Sequence, residues 1–369
     1  MRNPLHSICP YFAMFPEGFA RKHIESFTRE GDSVFDPFSG RGTTLLEALL
    51  LKRHAIAMDI NPVAYCISAS KAQTPSLNLI LTEVERLQKA YTKISRSGLE
   101  NECSELPPFF HRAFYHTTLR QILFLRRVLR WRTDPSHRFI ATLVLGSLHG
   151  EMRSPSYFSN QMPRTISTKP RYSLGYWRRH SLWPRKRDVF GILNSRAEFR
   201  LKGDVPQKHG QVALHDAREA SNIFKSMHKK ITAVVTSPPY FNVTNYEEDQ
   251  WLRLWFLGHK PRPTYREISK DDRHECKERY WQFLREVWTG IAPLLRNDAV
   301  IACRMGAIGL DEKEITAGLM DCVLAAFHNA RLMDAPLAST VTKRQTDSFR
   351  PGSKGCAFEL DYVISVGKI

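Results

Sequence analysis

The chain has 369 residues, of which 42% are hydrophobic and 25% are charged, a composition that excludes a disordered or fibrous protein. Its 54 Lys and Arg outnumber its 37 Asp and Glu, so the net charge is +17 at pH 7 and the isoelectric point is about 9.7. This balance favours a polyanionic partner, and a bias towards solubility is the alternative explanation.

The sequence lacks signals for export, membrane insertion and metal binding. Its first 14 residues have no basic-then-apolar order, and it contains no run of 18 uncharged apolar residues. His274 and Cys276 are too close and too isolated to predict a zinc site. The cysteines show no CxxC spacing and an odd count, which indicates a reducing compartment. We therefore expect a cytoplasmic protein without metal or membrane contacts. The seven cysteines are Cys9, Cys66, Cys103, Cys276, Cys303, Cys322 and Cys356.

Strand-like and helical segments alternate along much of the chain. The alternation predicts an α/β fold with a Rossmann-like, doubly wound, mostly parallel sheet of seven strands and helices on both faces. The predicted strands span residues 33–36, 54–59, 212–215, 231–236, 299–304, 331–336 and 360–366. The predicted helices span residues 43–51, 219–230, 278–295 and 312–328.

A long insertion separates the second and third predicted strands, where a crossover normally needs about thirty residues. It opens with predicted helices at 77–95, 114–131 and 136–150 and becomes irregular between 154 and 188. Residues 151–210 hold 13 Lys and Arg against 4 Asp and Glu, a local charge of +9. We expect three parts: residues 1–75 and 211–369 form the two parts of a core, and residues 76–210 form an inserted helical and basic region.

Residues 36–44, with the sequence DPFSGRGTT, join the first predicted strand to a helix. Gly40 and Gly42 permit a tight turn, and the backbone N–H groups at the helix start can face the charged end of a ligand. An ordinary strand-to-helix turn is the alternative.

Two acids follow the next two predicted strands. Asp59 lies fifteen residues beyond Thr44, where a carboxylate can accept hydrogen bonds from both hydroxyls of a ribose. Its alternative role is to cap the helix after Pro62. Asp216 ends the third strand in the same way.

Residues 236–240, with the sequence TSPPY, follow another strand-like run. Two prolines fix φ near −65° and remove backbone donors, so carbonyl oxygens and one hydroxyl point outward beside an aromatic ring. In isolation, such a segment is also compatible with a structural loop.

Together these segments resemble the S-adenosylmethionine-dependent DNA amino-methyltransferases, which methylate the exocyclic nitrogen of cytosine or adenine. The resemblance extends from Tyr11 to Gly258, with cofactor motifs, insertion and SPPY turn in that order. It implies a methyltransferase sheet, S-adenosylmethionine as cofactor, and a target-recognition role for the insertion. The implied cofactor-binding residues are Phe15, Pro16, Asp36, Phe38, Gly40, Gly42, Thr43, Thr44, Asp59, Asn61 and Asp216. The adenine contact is the implied role of Asp216.

The N-terminal segment 11–17 departs from the family pattern at one position. Met14 stands where the commoner form has a basic residue. Core packing is therefore an alternative for Phe15 and Pro16.

The resemblance assigns catalysis to Ser237, Pro238, Pro239 and Tyr240. The Ser237 Oγ and the Pro238 carbonyl would accept the amino hydrogens and free the nitrogen lone pair for attack. Tyr240 would stack on a base flipped out of the duplex. Tyr246 would help to form the base pocket, with an aromatic core contact as its alternative. No Pro-Cys dipeptide exists for covalent catalysis by cysteine.

The basic insertion is the expected contact with double-stranded DNA, and a solvated basic surface is the alternative. Aromatic residues interleave with its cations: Tyr157, Tyr172, Tyr176, Trp177 and Trp183. The predicted DNA-binding residues are Arg164, Lys169, Arg171, Arg178, Arg179, Arg185, Lys186 and Arg187.

The leading hypothesis is a site-specific DNA methyltransferase of a restriction–modification or phage-defence system, acting as a monomer or homodimer with possible cognate defence proteins. Ser before the prolines favours N4 of cytosine, and N6 of adenine stays open. An RNA amino-methyltransferase would be expected to carry an Asp- or Asn-Pro-Pro turn and an RNA-binding appendage. A non-catalytic nucleic-acid-binding module is the remaining alternative.

Overall fold

The computed structural model describes residues 2–11, 15–150, 154–160, 169–241, 246–268, 276–340 and 356–367. The chain forms two compact units. The core unit contains Ala13–Ala72, Pro206–Thr244 and Arg266–Ile369. The inserted unit contains Met1–Phe12, Gln73–Val205 and Asn245–Tyr265.

The core unit is built on one sheet, which has eight strands in the described part of the chain. The strand order is β3-β2-β1-β4-β5-β8-β6, and β7 also pairs with β8. Strands β1 to β5 are parallel, while β8 is antiparallel to β5. The strands are β1 Ser33–Asp36, β2 His54–Asp59, β3 Gln211–Leu214, β4 Ile231–Thr236, β5 Leu295–Met305, β6 Arg331–Leu332, β7 Leu337–Thr340 and β8 Phe358–Ser365.

The described residues also form fifteen α-helices, of which α1 to α3, α11, α14 and α15 belong to the core unit. They are α1 Glu17–Phe27, α2 Thr43–Leu50, α3 Pro62–Ala72, α4 Leu77–Lys93, α5 Arg96–Ser104, α6 Pro108–Ala113, α7 His116–Val128, α8 Pro135–Leu145, α9 Pro170–Arg179, α10 Val189–Arg200, α11 Ala220–Ile223, α12 Tyr246–Asp249, α13 Trp251–Phe256, α14 Lys277–Ile291 and α15 Glu312–Ala326.

Successive side chains of a strand point to opposite faces of the sheet, and helices bury both faces. Val34 packs in a cluster with residues of α1 and α2. The next residue, Phe35, packs in a second cluster with residues of α14 and α15. Helices therefore cover both faces, and the predicted Rossmann-like α/β fold is confirmed.

The strand count differs from the prediction at the antiparallel edge. The predicted strand 331–336 ends at Leu332, and Leu337–Thr340 forms an additional strand on the same side of β8. This extra strand is mostly exposed, so it lacks the apolar alternation that would have revealed it.

The predicted amphipathic helix 219–230 is wrong. After the short helix α11, the chain bends at Phe224 and forms a 3-10 turn over Lys225–Met227. Lys229 adopts a positive φ of 55°. The N–H groups of Lys229 and Lys230 donate to the carbonyls of Pro293 and Leu294 instead of completing a helix.

The inserted unit is mainly helical, and α9 occupies part of the stretch predicted to be irregular. This unit also includes residues 1–12 and 245–265, which sequence reasoning assigned to the core. The three-part division by function stays a prediction. Within the core unit, the Gly210 N–H donates to the Ala72 carbonyl 2.9 Å away, so the chain returns to the point where it left.

Candidate active site

The carboxyl ends of the parallel strands lie along one edge of the sheet, the usual ligand edge of this fold. Asp36 ends β1, Asp59 ends β2, and Ser237 follows the last residue of β4. The Thr236 hydroxyl donates to Asp36 Oδ1 at 2.7 Å, within the buried interior. This hydrogen bond joins the DPFSGRGTT turn to the TSPPY turn, although 200 positions separate the two residues.

The glycine turn has the backbone conformation that the sequence predicted. Gly40 and Gly42 have φ values of 49° and 71°, in the left-handed region that favours glycine. Gly42 immediately precedes α2. A Cβ at Gly42 would lie 2.9 Å from Ser68 Oγ, so the close approach of α3 also requires glycine. The turn is therefore tight and fixed.

Two residues of α3 support this turn and were missed by sequence reasoning. The Ser68 hydroxyl donates to the Gly40 carbonyl at 3.1 Å. The fully buried Lys71 donates from Nζ to the Arg41 carbonyl at 2.5 Å. A lysine in a helix otherwise made of apolar and small residues was the available signal, because lysine is rarely buried without partners.

The two threonines after the turn are buried and contribute hydrogen bonds within the core unit. Thr44 donates to the Val235 carbonyl of β4 at 2.9 Å, and Thr43 accepts from Arg41 Nε at 3.1 Å. Phe38 packs edge-to-face on Phe283, with ring centroids 6.0 Å apart. These contacts hold the start of α2 against β4.

Asp59 braces the glycine turn. Its Oδ2 accepts from the Gly40 N–H and its Oδ1 from the Asn61 N–H, each at 2.9 Å. Burial raises the pKa of the Asp59 carboxyl to about 6, against the opposing effect of these hydrogen bonds. The helix cap proposed as the alternative role falls to Asn61, whose Oδ1 accepts from the Val63 N–H at 2.9 Å.

Asp36 is fully buried, and burial raises the pKa of its carboxyl to about 7. Its Oδ1 accepts from Thr236 and from the Phe38 N–H. Its Oδ2 is buried without a hydrogen-bond partner among the described residues.

Asp216 is already engaged by a neighbouring cation. Its carboxylate accepts from Arg218 Nη2 at 2.9 Å and from the Arg218 N–H at 3.0 Å. Arg218 also donates to Glu286 at 3.0 Å. These acceptors raise the pKa of the Arg218 guanidinium. An adenine contact at Asp216 would share a carboxylate that already holds Arg218.

The residues of the predicted N-terminal pocket motif have packing roles. Phe15 is buried, and its ring lies edge-to-face on Phe19 at 5.3 Å. Pro16 immediately precedes α1. Tyr246 begins α12 of the inserted unit, where its ring lies 6.4 Å from that of Tyr11. Their predicted ligand contacts stay predictions.

The SPPY turn is held by residues from α14 and β8. Tyr280 donates from its phenol to the Pro239 carbonyl at 3.0 Å. Ser237 Oγ donates to the Tyr240 phenol oxygen at 3.4 Å, and Tyr240 donates to Glu359 at 3.0 Å. The Pro238 carbonyl accepts no hydrogen bond from a described residue.

The inserted unit exposes most of the predicted DNA-binding cations. Arg171, Arg178, Arg179, Arg185 and Lys186 are exposed, and Arg187 is half-buried. Lys169 pairs with Glu248 at 3.1 Å. Arg164 lies outside the described residues.

The aromatic residues of this region divide into two groups. Trp177 is 1% exposed and packs against Phe109, so its predicted surface role is wrong. Trp183 is 70% exposed, with the Arg112 guanidinium 3.5 Å from its ring centroid. Tyr172 is also exposed.

A basic cleft of about 790 Å³ lies in the inserted unit. Lys186 and Arg187 line it, together with Arg196 and Arg200 of α10, which sequence reasoning did not single out. Burial and the nearby Arg196 lower the pKa of Arg200 to about 10. The Nε groups of Arg187 and Arg200 are buried without an acceptor among the described residues. The four-residue spacing on one helix was the available signal.

The described residues contain neither a candidate metal-binding cluster nor a candidate membrane span. No three His, Cys, Asp or Glu side chains are grouped so that they could hold a metal ion. No helix there has the length and apolar character needed to cross a membrane.

The fold and this edge of the sheet define a Rossmann-like α/β protein with a glycine turn and an SPPY turn side by side. A family profile described as DNA methylase, of the N6/N4 type, matches residues 3–70. The Type II methyltransferase M.BsoBI of Geobacillus stearothermophilus is 30% identical over 270 residues, which cover 66% of this chain and 52% of that protein. The chain thus spans about half the length of this relative.

A shorter and closer similarity is found to the orphan methyltransferase M.BamHII of Bacillus amyloliquefaciens. It is 48% identical over 59 residues, 16% of this chain and 22% of that protein. Among solved structures, TrmN from Thermus thermophilus aligns with 98% of this chain and 52% of its own chain. The identity is 11% and the TM-score is 0.36. The family profile is described as DNA methylase, and both sequence relatives are named methyltransferases.

Proposed function

We propose that the protein is an S-adenosylmethionine-dependent DNA methyltransferase that modifies N4 of cytosine at a specific site. The hydrogen bond between Thr236 and Asp36 carries this proposal, because it couples a nucleotide-binding type of turn to a turn rich in acceptors. The similarity of residues 3–70 to DNA methylases gives independent support.

The glycine turn fits the cofactor. Gly40 and Gly42 leave room for a close backbone approach to a ligand. Asp59 would hold the ribose hydroxyls with the oxygen lone pairs that remain beside its two backbone contacts. The cofactor supplies an electrophilic methyl group attached to a sulfonium.

The SPPY turn prepares the amino group of the target base. That nitrogen is a weak nucleophile because its lone pair is delocalised into the ring. Ser237 Oγ and the Pro238 carbonyl would accept its two hydrogens and favour a pyramidal nitrogen. With its hydrogens held in this way, the nitrogen would direct its lone pair at the methyl group that the bound cofactor supplies, and it would lose one amino proton after the transfer.

Two features concern the target. Serine before the prolines favours cytosine N4, and adenine N6 is the second candidate because the turn offers the same acceptors to either amino group. The exposed cations of α9 and the basic cleft beside α10 would bind DNA phosphates. A role in restriction–modification or phage defence is consistent with the relative named Type II methyltransferase.

The test is methyl transfer from labelled S-adenosylmethionine to unmethylated duplex DNA, followed by digestion to nucleosides and mass spectrometry. We expect N4-methylcytosine, and roughly ten- to a thousand-fold slower formation of it with Ser237→Ala. N6-methyladenine would transfer the proposal to the second target. Label in RNA alone, or in neither nucleic acid, would overturn it.

A further inference from the structure

A chain of three polar groups runs from the SPPY turn into the sheet. Ser237 Oγ donates to the phenol oxygen of Tyr240 at 3.4 Å, and the phenol donates to Glu359 Oε1 at 3.0 Å. Glu359 lies on β8, so the turn and the antiparallel strand are joined by side chains alone. Ser237 and Tyr240 have proposed roles in catalysis, and Glu359 has none so far.

A buried arginine holds the far end of this chain. Arg304 of β5 donates to Glu359 Oε2 at 3.4 Å and forms a two-pronged pair with Asp361 at 2.6 and 2.7 Å. Arg304 and Asp361 are paired in the register of β5 and β8, and each side chain is only 12% exposed. Glu359 and Asp361 point to the same face because they are two residues apart on a strand. The arginine therefore holds the Glu359 carboxyl group in place.

Packing also restricts the ring of Tyr240. A Cβ at Gly306 would lie 2.9 Å from Tyr240 Cε2, so the backbone of residue 306 borders the ring directly. The phenol thus has little freedom to leave Glu359.

The direction of these hydrogen bonds decides whether Ser237 Oγ presents a proton or lone pairs to a substrate. A serine hydroxyl can donate or accept, and a donated proton would oppose the amino hydrogens of the base. The Tyr240 phenol donates its proton to Glu359, so its oxygen is left to accept the Ser237 proton. Ser237 Oγ then offers only lone pairs to a substrate.

We propose that Glu359 is a positioning residue, which acts through Tyr240 to make Ser237 a pure acceptor for the amino group of the target base. This inference rests on the proposed function of the SPPY turn. It adds a residue of β8, 119 positions beyond Tyr240, to the machinery of that turn.

The test is a double-mutant cycle in the full-length protein with Glu359→Gln, Tyr240→Phe and the double variant. Each single variant should lower the single-turnover methylation rate roughly tenfold. The double variant should be no slower than the slower single variant, because both changes break one relay. Ser339→Ala is the matched control, since the Ser339 hydroxyl donates to the Glu359 backbone carbonyl at 3.4 Å and not to its carboxylate, and this variant should retain the rate.

A spectroscopic readout tests the relay without turnover. In protein labelled with 13Cζ-tyrosine, the Tyr240 signal, assigned with Tyr240→Phe, should move in Glu359→Gln and stay in Ser339→Ala. Additive rate losses, or an unmoved Tyr240 signal, would overturn the positioning role. If the unmodified protein transfers no methyl group to DNA, the proposed function fails, and the signal alone decides whether the relay exists.

Discussion

The carboxylate of Asp59 accepts a hydrogen bond from the Gly40 N–H at 2.9 Å, so the end of β2 holds the glycine turn that follows β1. One side chain thereby shapes the turn and remains available to a ligand. Asp59 therefore differs from an ordinary helix-capping residue. The capping of α3 is performed by Asn61.

Asp59→Ala should weaken S-adenosylmethionine binding by about 1–3 kcal/mol, since charge-assisted hydrogen bonds and the support of Gly40 are both lost. Isothermal calorimetry measures the change. Asp298→Ala removes an exposed acid of β5 and should leave the affinity unaltered. Equal affinities for Asp59→Ala and the unmodified protein would reject the ribose role.

Gly42→Ala should destabilise the protein more than Gly31→Ala. Both glycines have a positive φ, 71° and 87°, so both substitutions strain the backbone by about 1 kcal/mol. Only Gly42 faces Ser68, and that crowding should add about 1–3 kcal/mol. Urea unfolding of the two variants isolates the packing contribution. Equal losses would show that Ser68 yields without cost.

Asp36→Asn should change how stability depends on pH. Folding raises the pKa of Asp36 from about 4 to about 7, so the native protein keeps a proton that the unfolded chain releases in this window. The free energy of unfolding contributed by Asp36 therefore falls as pH rises from about 4 to about 7.

Relative to the unmodified protein, Asp36→Asn should gain stability across that window and level off above it. Urea unfolding at a series of pH values measures the difference, with Asp298→Asn as the exposed control. A difference that does not vary with pH would contradict the raised pKa.

Ser237→Ala and Tyr240→Ala should separate catalysis from binding. Loss of one oriented acceptor should reduce turnover by roughly ten- to a thousand-fold in Ser237→Ala, with cofactor and DNA still bound. Tyr240→Ala should also lose about 1–3 kcal/mol of stacking and capture a flipped base less well. A fluorescent base analogue at the target reports this capture. Unmodified single-turnover rates in both variants would make the turn a structural loop.

A fourfold substitution of Arg178, Arg179, Arg185 and Lys186 by Ala should weaken DNA binding and flatten its salt dependence, because fewer counterions are released. The matched control removes four exposed cations of the core unit: Lys22, Lys225, Lys313 and Arg331. Fluorescence anisotropy at several salt concentrations gives both slopes. Identical slopes for the two variants would assign DNA binding to another surface.

The sequence predicted the parallel half of the sheet well because its strands are short apolar runs bounded by turn residues. Strands β1, β2 and β4 begin and end where expected. The exposed β7 could not be predicted, since its residues pair with β8 through backbone groups and bury little apolar surface. The predicted helix at 219–230 had amphipathic spacing. At its end, however, the N–H groups of Lys229 and Lys230 donate to the carbonyls of residues 293 and 294.

The candidate site was predicted only as far as local patterns reach. Gly40 and Gly42 have the positive φ values expected of a tight turn, whereas the contact of Asp59 with the Gly40 N–H was not predicted and its ribose role stays a prediction. Glu359 contacts a residue 119 positions away, so no local spacing reveals it, whereas Lys71 was marked only by its charge in an otherwise apolar helix. Trp177 illustrates the converse error, because a tryptophan among arginines resembles a surface residue until its burial is known.

The hydrogen bond from Gly210 to Ala72 closes the base of the insertion within the core unit. The entropy lost on closing a loop grows only with the logarithm of its length, about 0.6 kcal/mol for each doubling. Segments of very different size can therefore occupy this position at nearly equal thermodynamic cost. Under the proposed function, a different segment inserted between these two residues would give the enzyme a new target sequence, while the carboxyl-end edge of the sheet stays unchanged.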